Sequence, residues 1–146
     1  MRLIVDSREQ RPYSDLFREI HKIECEVKGL KVGDYSIEGY EDKFAIERKS
    51  LNDFVGSITQ GRQRFLREIE RATQYEYFAI VIECTLQDIL SGNYRSKTHP
   101  ASVIGTIASW SIKYKIPIFF AGNRSDSAIL VMKLAKKYLD NLEKQE

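Results

Sequence analysis

The chain has 146 residues, 42% of them hydrophobic and 30% charged, with a formal net charge of +2. That length suits one domain, expected to span residues 1–146, and a domain of this size buries about 68–70% of its unfolded surface. The composition excludes a disordered chain. The near-neutral charge does not by itself point to nucleic acid, although Arg62, Arg64, Arg67 and Arg71 crowd one segment.

Leu3-Ile4-Val5 reads as a short buried strand that delivers Asp6, Arg8 and Glu9 at its C-terminal end. After Pro12, the apolar positions Tyr13, Leu16, Phe17 and Ile20 predict an amphipathic helix over Tyr13–Lys22. Cys25–Val27 reads as a short strand. Gly33 then marks a turn or close approach, and Tyr35–Ile37 and Lys43–Arg48 form a hairpin across the polar link Glu38–Asp42. Ser50 is placed to cap a helix, with Asp53 as the acidic half of a capping-box pattern. Gly56 and Gly61 bracket a break. Arg62–Thr73 then carries the cleanest helical period, with Phe65, Leu66, Ile69, Ala72 and Thr73 on one face and Arg64, Arg67, Glu68 and Arg71 on the other.

Phe78–Ile82 is too short for a helix and too apolar for an edge, so it predicts a central strand closing in Glu83. Thr85 caps a short helix to Leu90, and Gly92–Thr98 is a polar loop. A helix from Pro100 to about Lys115 carries the stripe Val103, Ile107, Trp110 and Tyr114. Pro117–Ala121 is a strand, and Ser125 or Asp126 is expected to cap a last helix to Leu142, with Ile129, Leu130, Met132, Leu134 and Leu139 facing inward. Strands alternating with helices predict an α/β domain with a mixed central β-sheet flanked by helices. Cys25 and Cys84 have no metal-type spacing and read as free thiols. The N-terminus shows no signal-peptide pattern and no apolar run is long enough to span a bilayer, so a cytoplasmic protein without membrane contacts is expected.

The chemistry concentrates in Phe44-Ala45-Ile46-Glu47-Arg48-Lys49-Ser50. Strand alternation puts Glu47 and Lys49 on one face and Arg48 on the other. A Mg²⁺ site for phosphate chemistry needs one or two carboxylates, which Asp34 and Glu47 can supply. Lys49 can then orient or help deprotonate a water, or offset charge on the transition state. Each residue also has a plainer reading. Asp34 can be a turn residue, and Glu47 with Lys49 a cross-strand pair. Asp53 can be a charge at a helix start, Arg48 a structural ion pair with Asp53 or Asp6, and the arginine set a solvated helix face. Glu83 reads equally as a site carboxylate or a satisfied buried acid. His21 and His99 have no ligand-like neighbours, and Trp110 reads as core or as an interface anchor.

Taken together, Val5-Asp6-Ser7-Arg8-Glu9, Gly33-Asp34-Tyr35, Glu47-Arg48-Lys49 with Asp53, Ser57-Ile58 and Gly61-Arg62 resemble the nuclease domain of the XPF family. These are structure-specific DNA endonucleases of the PD-(D/E)XK superfamily, and every fixed position of their GD…ERKxxxD signature is present. The resemblance implies a restriction-endonuclease-like fold and Mg²⁺- or Mn²⁺-dependent cleavage of branched or flapped DNA. It makes Asp34 and Glu47 metal ligands and Lys49 the catalytic base or electrostatic partner. Asp6, Arg8, Glu9, Arg48 and Asp53 would support the site. Arg62 would contact DNA or brace the site, and Arg8, Arg64 and Lys49 would meet the DNA backbone.

The family usually adds helix-hairpin-helix and helicase modules, which this chain is expected to lack, and its Glu-Gln after Gly-Arg is replaced by Phe65-Leu66. Family nuclease domains also pair, which makes the Val103/Ile107/Trp110/Tyr114 helix a candidate homodimer or heterodimer face. Two alternatives stand beside the nuclease reading. One is a non-catalytic DNA-binding or scaffold module that retains the fold, and the other a restriction- or resolvase-like nuclease with a different DNA substrate.

Overall fold

The computed structural model describes residues 1–144. Six strands, β1 (Arg2–Asp6), β2 (Glu24–Lys28), β3 (Tyr35–Ile37), β4 (Phe44–Ser50), β5 (Tyr77–Glu83) and β6 (Ile118–Phe120), form one sheet in the order β2-β1-β3-β4-β5-β6. β3 runs antiparallel to β1 and β4, and the other neighbours are parallel, so the sheet is mixed as expected. The sheet is covered on both faces, which is why β5 is almost continuously apolar and β4 opens with Phe44-Ala45-Ile46. Helices α2 (Leu51–Ile58), α3 (Arg62–Ala72), α4 (Leu86–Leu90) and α5 (Pro100–Tyr114) pack on one side around Ala45, Ile80 and Ile82. Helices α1 (Ser14–Glu19) and α6 (Arg124–Lys144) pack on the other, around Phe44, Ile46, Ala79 and Val81.

Several local signals act as expected. Ser50 caps α2, its hydroxyl accepting the Asp53 N–H at 3.2 Å. Thr85 and Asp88 form a full capping box at α4. His99 has a plain structural role, its Nδ1 accepting the Ala101 N–H at the start of α5. Among the described residues, no helix is long and apolar enough to cross a membrane.

Other expectations need correction. The first helix is shorter than Tyr13–Lys22, because Lys22 takes up a left-handed conformation (φ 57°) that turns the chain into β2 and leaves Ile20 exposed. Thr73 lies past the end of α3, where its hydroxyl donates back to the Glu70 carbonyl. The last helix is capped by Asn123, whose side-chain oxygen accepts the Asp126 N–H at 2.9 Å, and not by Ser125 or Asp126. Its deepest face is Ser127, Ala128, Val131, Met132 and Ala135, while Ile129 points outward. Small side chains let this helix lie close to the sheet, which a count of large apolar residues does not reveal.

The α5 stripe lies largely inward. Val103, Ile107 and Trp110 are buried in this chain's own core, with Tyr114 packed at its margin. The Trp110 ring lies 5.8 Å from that of Phe65. The stripe packs into the core that the sheet and the neighbouring helices share, while Ile112 of the same helix is exposed.

Candidate active site

The site begins with a glycine. Gly33 sits at φ +77°, and a Cβ there would lie 3.0 Å from both Ala45 Cβ and the Ile46 carbonyl oxygen. Only glycine lets the chain lie this close on β4. The next residue is clamped to two strands: the Asp34 N–H donates to the Ile46 carbonyl at 2.8 Å, and the Asp34 carbonyl accepts the Asp6 N–H at 2.8 Å. The Asp34 carboxylate is therefore delivered to β4, where its Oδ2 accepts the Arg48 N–H at 2.8 Å.

Alternation along β4 does what the sequence predicts. Glu47 and Lys49 share the face of Ile80 and Ile82, and Lys49 Nζ stands 3.5 Å from Glu47 Oε2. Lys49 Nζ also lies 4.9 Å from the centre of the Phe65 ring, so the apolar residue that departs from the family pattern forms a floor under the lysine. Arg48 turns to the opposite face, where its guanidinium meets Glu9 Oε1 at 3.2 Å and Glu83 Oε1 at 2.8 Å. Its ionic partners are thus neither Asp53 nor Asp6. Asp6 is spent on a loop, accepting the Leu30 N–H at 2.8 Å and Arg8 Nε at 3.0 Å.

Asp6, Arg8, Asp34 and Glu47 line a cleft of about 170 Å³ together with Lys31, Glu68 and Arg71. Burial and then the charge of Glu9 push the Asp34 carboxyl up to about 7. Burial and then the nearby Asp34 hold the Glu47 carboxyl well above the usual range.

Lys49, Asp53, Arg64 and Arg67 line a wider neighbouring groove of about 700 Å³. Arg8, Lys49, Arg64 and Glu68 border a hollow that shares residues with both. Asp53 is exposed and stands apart from the Asp34–Glu47 pair. Arg62 points elsewhere: its Nη1 donates to the Ile58 carbonyl at 3.0 Å and to Thr106 Oγ1 at 3.3 Å, and its guanidinium covers Trp110. It braces α5.

Sequence reasoning missed Lys31, Glu68 and Arg71 as cleft residues. Glu68 was placed on the outer face of α3, yet it stands one turn after Phe65, at the border of the buried stripe, and that spacing was the available signal.

A divalent cation would find two hard carboxylate ligands here, Asp34 and Glu47, with Asp34 Oδ1 left over from the bond to Arg48. Among the described residues, no group of three or more His, Cys, Asp or Glu side chains is set to hold a metal. Mg²⁺ is typically held by one or two carboxylates, with water and substrate oxygens completing the octahedron, so the donor set fits.

The chain is similar to several known proteins over most of its length. The model of the ERCC4 domain matches residues 5–134. A protein of Methanocaldococcus jannaschii named as an ATP-dependent RNA helicase, MJ1505, is 30% identical over 138 residues, covering 94% of this chain and 16% of that protein. The 3'-flap repair endonuclease Xpf of Saccharolobus solfataricus is 28% identical over 142 residues, covering 94% of this chain and 56% of that protein. The chain thus spans only part of the curated relatives it matches. Among solved structures, XPF from Aeropyrum pernix superposes with a TM-score of 0.76 at 25% identity, covering 94% of this chain and 61% of that one. The same protein in complex with DNA also gives 0.76 at 25% identity, covering 96% and 66%. From residue 5 to residue 134 the chain belongs to the ERCC4 domain family, with the fold and sequence of an XPF-type nuclease domain.

Proposed function

We propose that this domain is a DNA endonuclease that depends on Mg²⁺ or Mn²⁺ and cuts branched or flapped DNA. The observation that carries the reading is the Asp34–Glu47 carboxylate pair, held above its ordinary ionisation range in a small cleft, with Lys49 Nζ 3.5 Å from Glu47. DNA as substrate rests on the relative titled as a DNA complex, and the flap on the relative named as a 3'-flap repair endonuclease.

Asp34 and Glu47 would hold the cation. When bound, the cation supplies Lewis acidity toward the scissile phosphate and lowers the pKa of a water. Lys49 would orient that water through its N–H donors and offset charge that builds on the phosphoryl oxygens. Its ammonium is fixed between Glu47 and the Phe65 ring, so little reorganisation is needed. Arg8, Arg64 and Arg67 border the cleft and groove and would bind the flanking backbone phosphates.

The deciding experiment is cleavage of flap, fork, four-way and linear duplex DNA, with and without Mg²⁺ or Mn²⁺, by the wild type, Lys49→Ala and Asp34→Asn. Metal-dependent cutting of the branched substrates, lost in both variants, is expected. Binding without cutting would make the domain a non-catalytic DNA-binding module. A preference for linear or four-way DNA would make it a restriction- or resolvase-like nuclease.

A further inference from the structure

The basic side chains beside the carboxylate pair fall into two sets. Arg64 and Arg67 line the wide groove with Lys49, whereas Lys31 and Arg71 line the small cleft with Asp34 and Glu47. Neither set lines the other's cavity. The hollow between them shares Arg8 and Glu68 with the cleft, and Lys49 and Arg64 with the groove. The order is therefore cleft, hollow, groove. Glu47 and Lys49, 3.5 Å apart, stand at the step from the first to the second.

Helix α3 is the wall common to all three. At about 100° per residue, Arg64, Arg67, Glu68 and Arg71 fall on one side of the helix, turned from the buried Phe65, Ile69 and Ala72. Arg64 and Arg71 are about two turns apart, roughly 10 Å along the axis. A DNA strand advances about 3.4 Å per nucleotide along a duplex, so the ends of this face match phosphates about three steps apart.

Lys31 reaches the cleft from the loop before β3. Its neighbours Leu30 and Val32 are buried, which leaves the lysine on the surface between two anchors. The Leu30 N–H donates to Asp6 Oδ1 at 2.8 Å, and the Leu30 carbonyl accepts Arg8 Nη2 at 2.9 Å. The Asp6–Arg8 pair thus fixes the backbone that carries Lys31. Arg8 is matched with Asp6 and Lys49 with Glu47. Lys31 and Arg71 line the same carboxylate-bearing cleft, yet among the described residues neither takes part in an ion pair. An arginine in the last turn of a helix also suits the helix dipole, but that leaves Lys31 without a role.

We propose that Lys31 and Arg71 form a second phosphate subsite, which binds the backbone of the cut strand on the side of the cleft away from Arg64 and Arg67. The inference rests on the reading of the Asp34–Glu47 pair as the hydrolytic site. The strand then lies along α3 and is held at both ends of the Asp34–Glu47 pair. A strand held only in the groove could pivot about it, whereas one held on both sides keeps the scissile phosphate over the carboxylates.

The test is fluorescence anisotropy of the full chain on flap DNA in chelator, where binding is read without cutting. The proteins are the wild type, Lys31→Ala, Arg71→Ala, the Lys31→Ala/Arg71→Ala double variant and the Arg64→Ala/Arg67→Ala double variant. Lys31→Ala and Arg71→Ala should each lower the slope of log K against log salt by about 1, and together by about 2, with the melting temperature unchanged. The flap DNA is then prepared with one uncharged methylphosphonate linkage at successive positions of each strand. A linkage that weakens binding to the wild type but not to a variant marks the phosphate that the missing side chains held. The phosphates of Lys31 and Arg71 should lie on the same strand as those of Arg64 and Arg67, about three steps away, with the Mg²⁺-dependent cut between them.

An unchanged salt slope in the Lys31→Ala/Arg71→Ala variant, with or without a lower melting temperature, would overturn the inference. So would marked phosphates that coincide with those of the Arg64→Ala/Arg67→Ala variant, or that lie on a different strand. Two sets placed as expected, in a wild type that cuts no DNA with Mg²⁺ or Mn²⁺, would instead bring down the nuclease reading and leave the subsite standing as part of a DNA-binding surface.

Discussion

The Arg48 N–H donates to Asp34 Oδ2 at 2.8 Å, so the first acid is gripped by the strand that carries the second. Gly33-Asp34 and Glu47-Arg48-Lys49 are far apart in sequence but form one rigid unit. Side-chain alternation then divides the labour: Glu47 opens toward the cleft and Lys49 toward the groove beside it, and Arg48 ties the back of the sheet together.

That grip makes Asp34→Asn a clean probe, because the amide oxygen can still accept the Arg48 N–H. The Asp34 carboxyl, raised to about 7, lies above its unfolded value. A raised carboxyl binds more protons folded than unfolded, so its charge destabilises the metal-free protein above pH 7. That penalty disappears as pH falls through the folded pKa toward the unfolded one. Asp34→Asn should therefore stabilise the metal-free protein by about 1–2 kcal/mol at pH 8, with little effect near pH 4, while abolishing metal-dependent cleavage. Urea unfolding in chelator at the two pH values checks this, and equal or lower stability of the variant at pH 8 would refute it.

Lys49→Ala should leave the fold nearly intact and lower the single-turnover cleavage rate by about 100- to 1,000-fold. Lys49→Arg should not restore the rate, because a guanidinium spreads its charge over a rigid, planar fork and does not supply the point charge and rotatable donors of the ammonium beside Glu47. Single-turnover kinetics at saturating enzyme separate the chemical step from binding. A rate close to wild type in either variant would remove Lys49 from the chemistry.

Gly33→Ala should destabilise the protein by about 1–3 kcal/mol or more, since strain at positive φ adds to a collision. The new Cβ would lie 3.0 Å from β4 backbone, which cannot yield as a side chain tip can. The same displacement would move Asp34, so metal affinity should fall with stability. Chemical denaturation and Mn²⁺ titration of one sample test both, and loss of neither would show that β4 can shift to make room.

Much of this architecture is legible in the sequence because the signals are local. Strand period gave the Glu47/Lys49 face, Ser50 and Thr85 announced their helices, and the apolar run Phe78–Ile82 could only be an inner strand. What stayed hidden depends on long-range placement. The partners of Arg48 come from the loop after β1 and the end of β5, so no spacing could reveal them. Arg62 and Arg64 look alike in sequence, yet one covers Trp110 and the other borders the groove. The α5 stripe reads as surplus apolar area because the residues that bury it come from several elements distant in sequence.

Arg48→Ala should be among the most damaging single substitutions outside the apolar core. It leaves Glu9 and Glu83, both buried, without their shared cation. Removing one partner of a buried ion pair costs about 3–5 kcal/mol, because the remaining charge has lost its compensation. Adding Glu83→Gln to Arg48→Ala should recover part of the loss, by removing one of the stranded charges. Equilibrium unfolding of the single and double variants decides the point, and a merely surface-like loss of stability in Arg48→Ala would contradict the buried geometry.

The contrast between Arg64 and Arg62 gives the last prediction. Arg64 and Arg67 border the groove beside Lys49 and are exposed, so they are free to neutralise backbone phosphates. Each phosphate contact removed should lower the slope of log K against log salt by about 1, and weaken binding almost equally for every DNA sequence. Arg64→Ala and Arg67→Ala should do this with the melting temperature unchanged. Arg62 is committed to the Ile58 carbonyl, Thr106 and Trp110, so Arg62→Ala should lower the melting temperature and leave the salt slope as it was. Fluorescence anisotropy on flap DNA across a salt series, with thermal unfolding of the same variants, reads both quantities. A salt slope that drops for Arg62→Ala and not for Arg64→Ala would place the DNA on the α5 side of α3, away from Lys49, and the groove would lose its assignment.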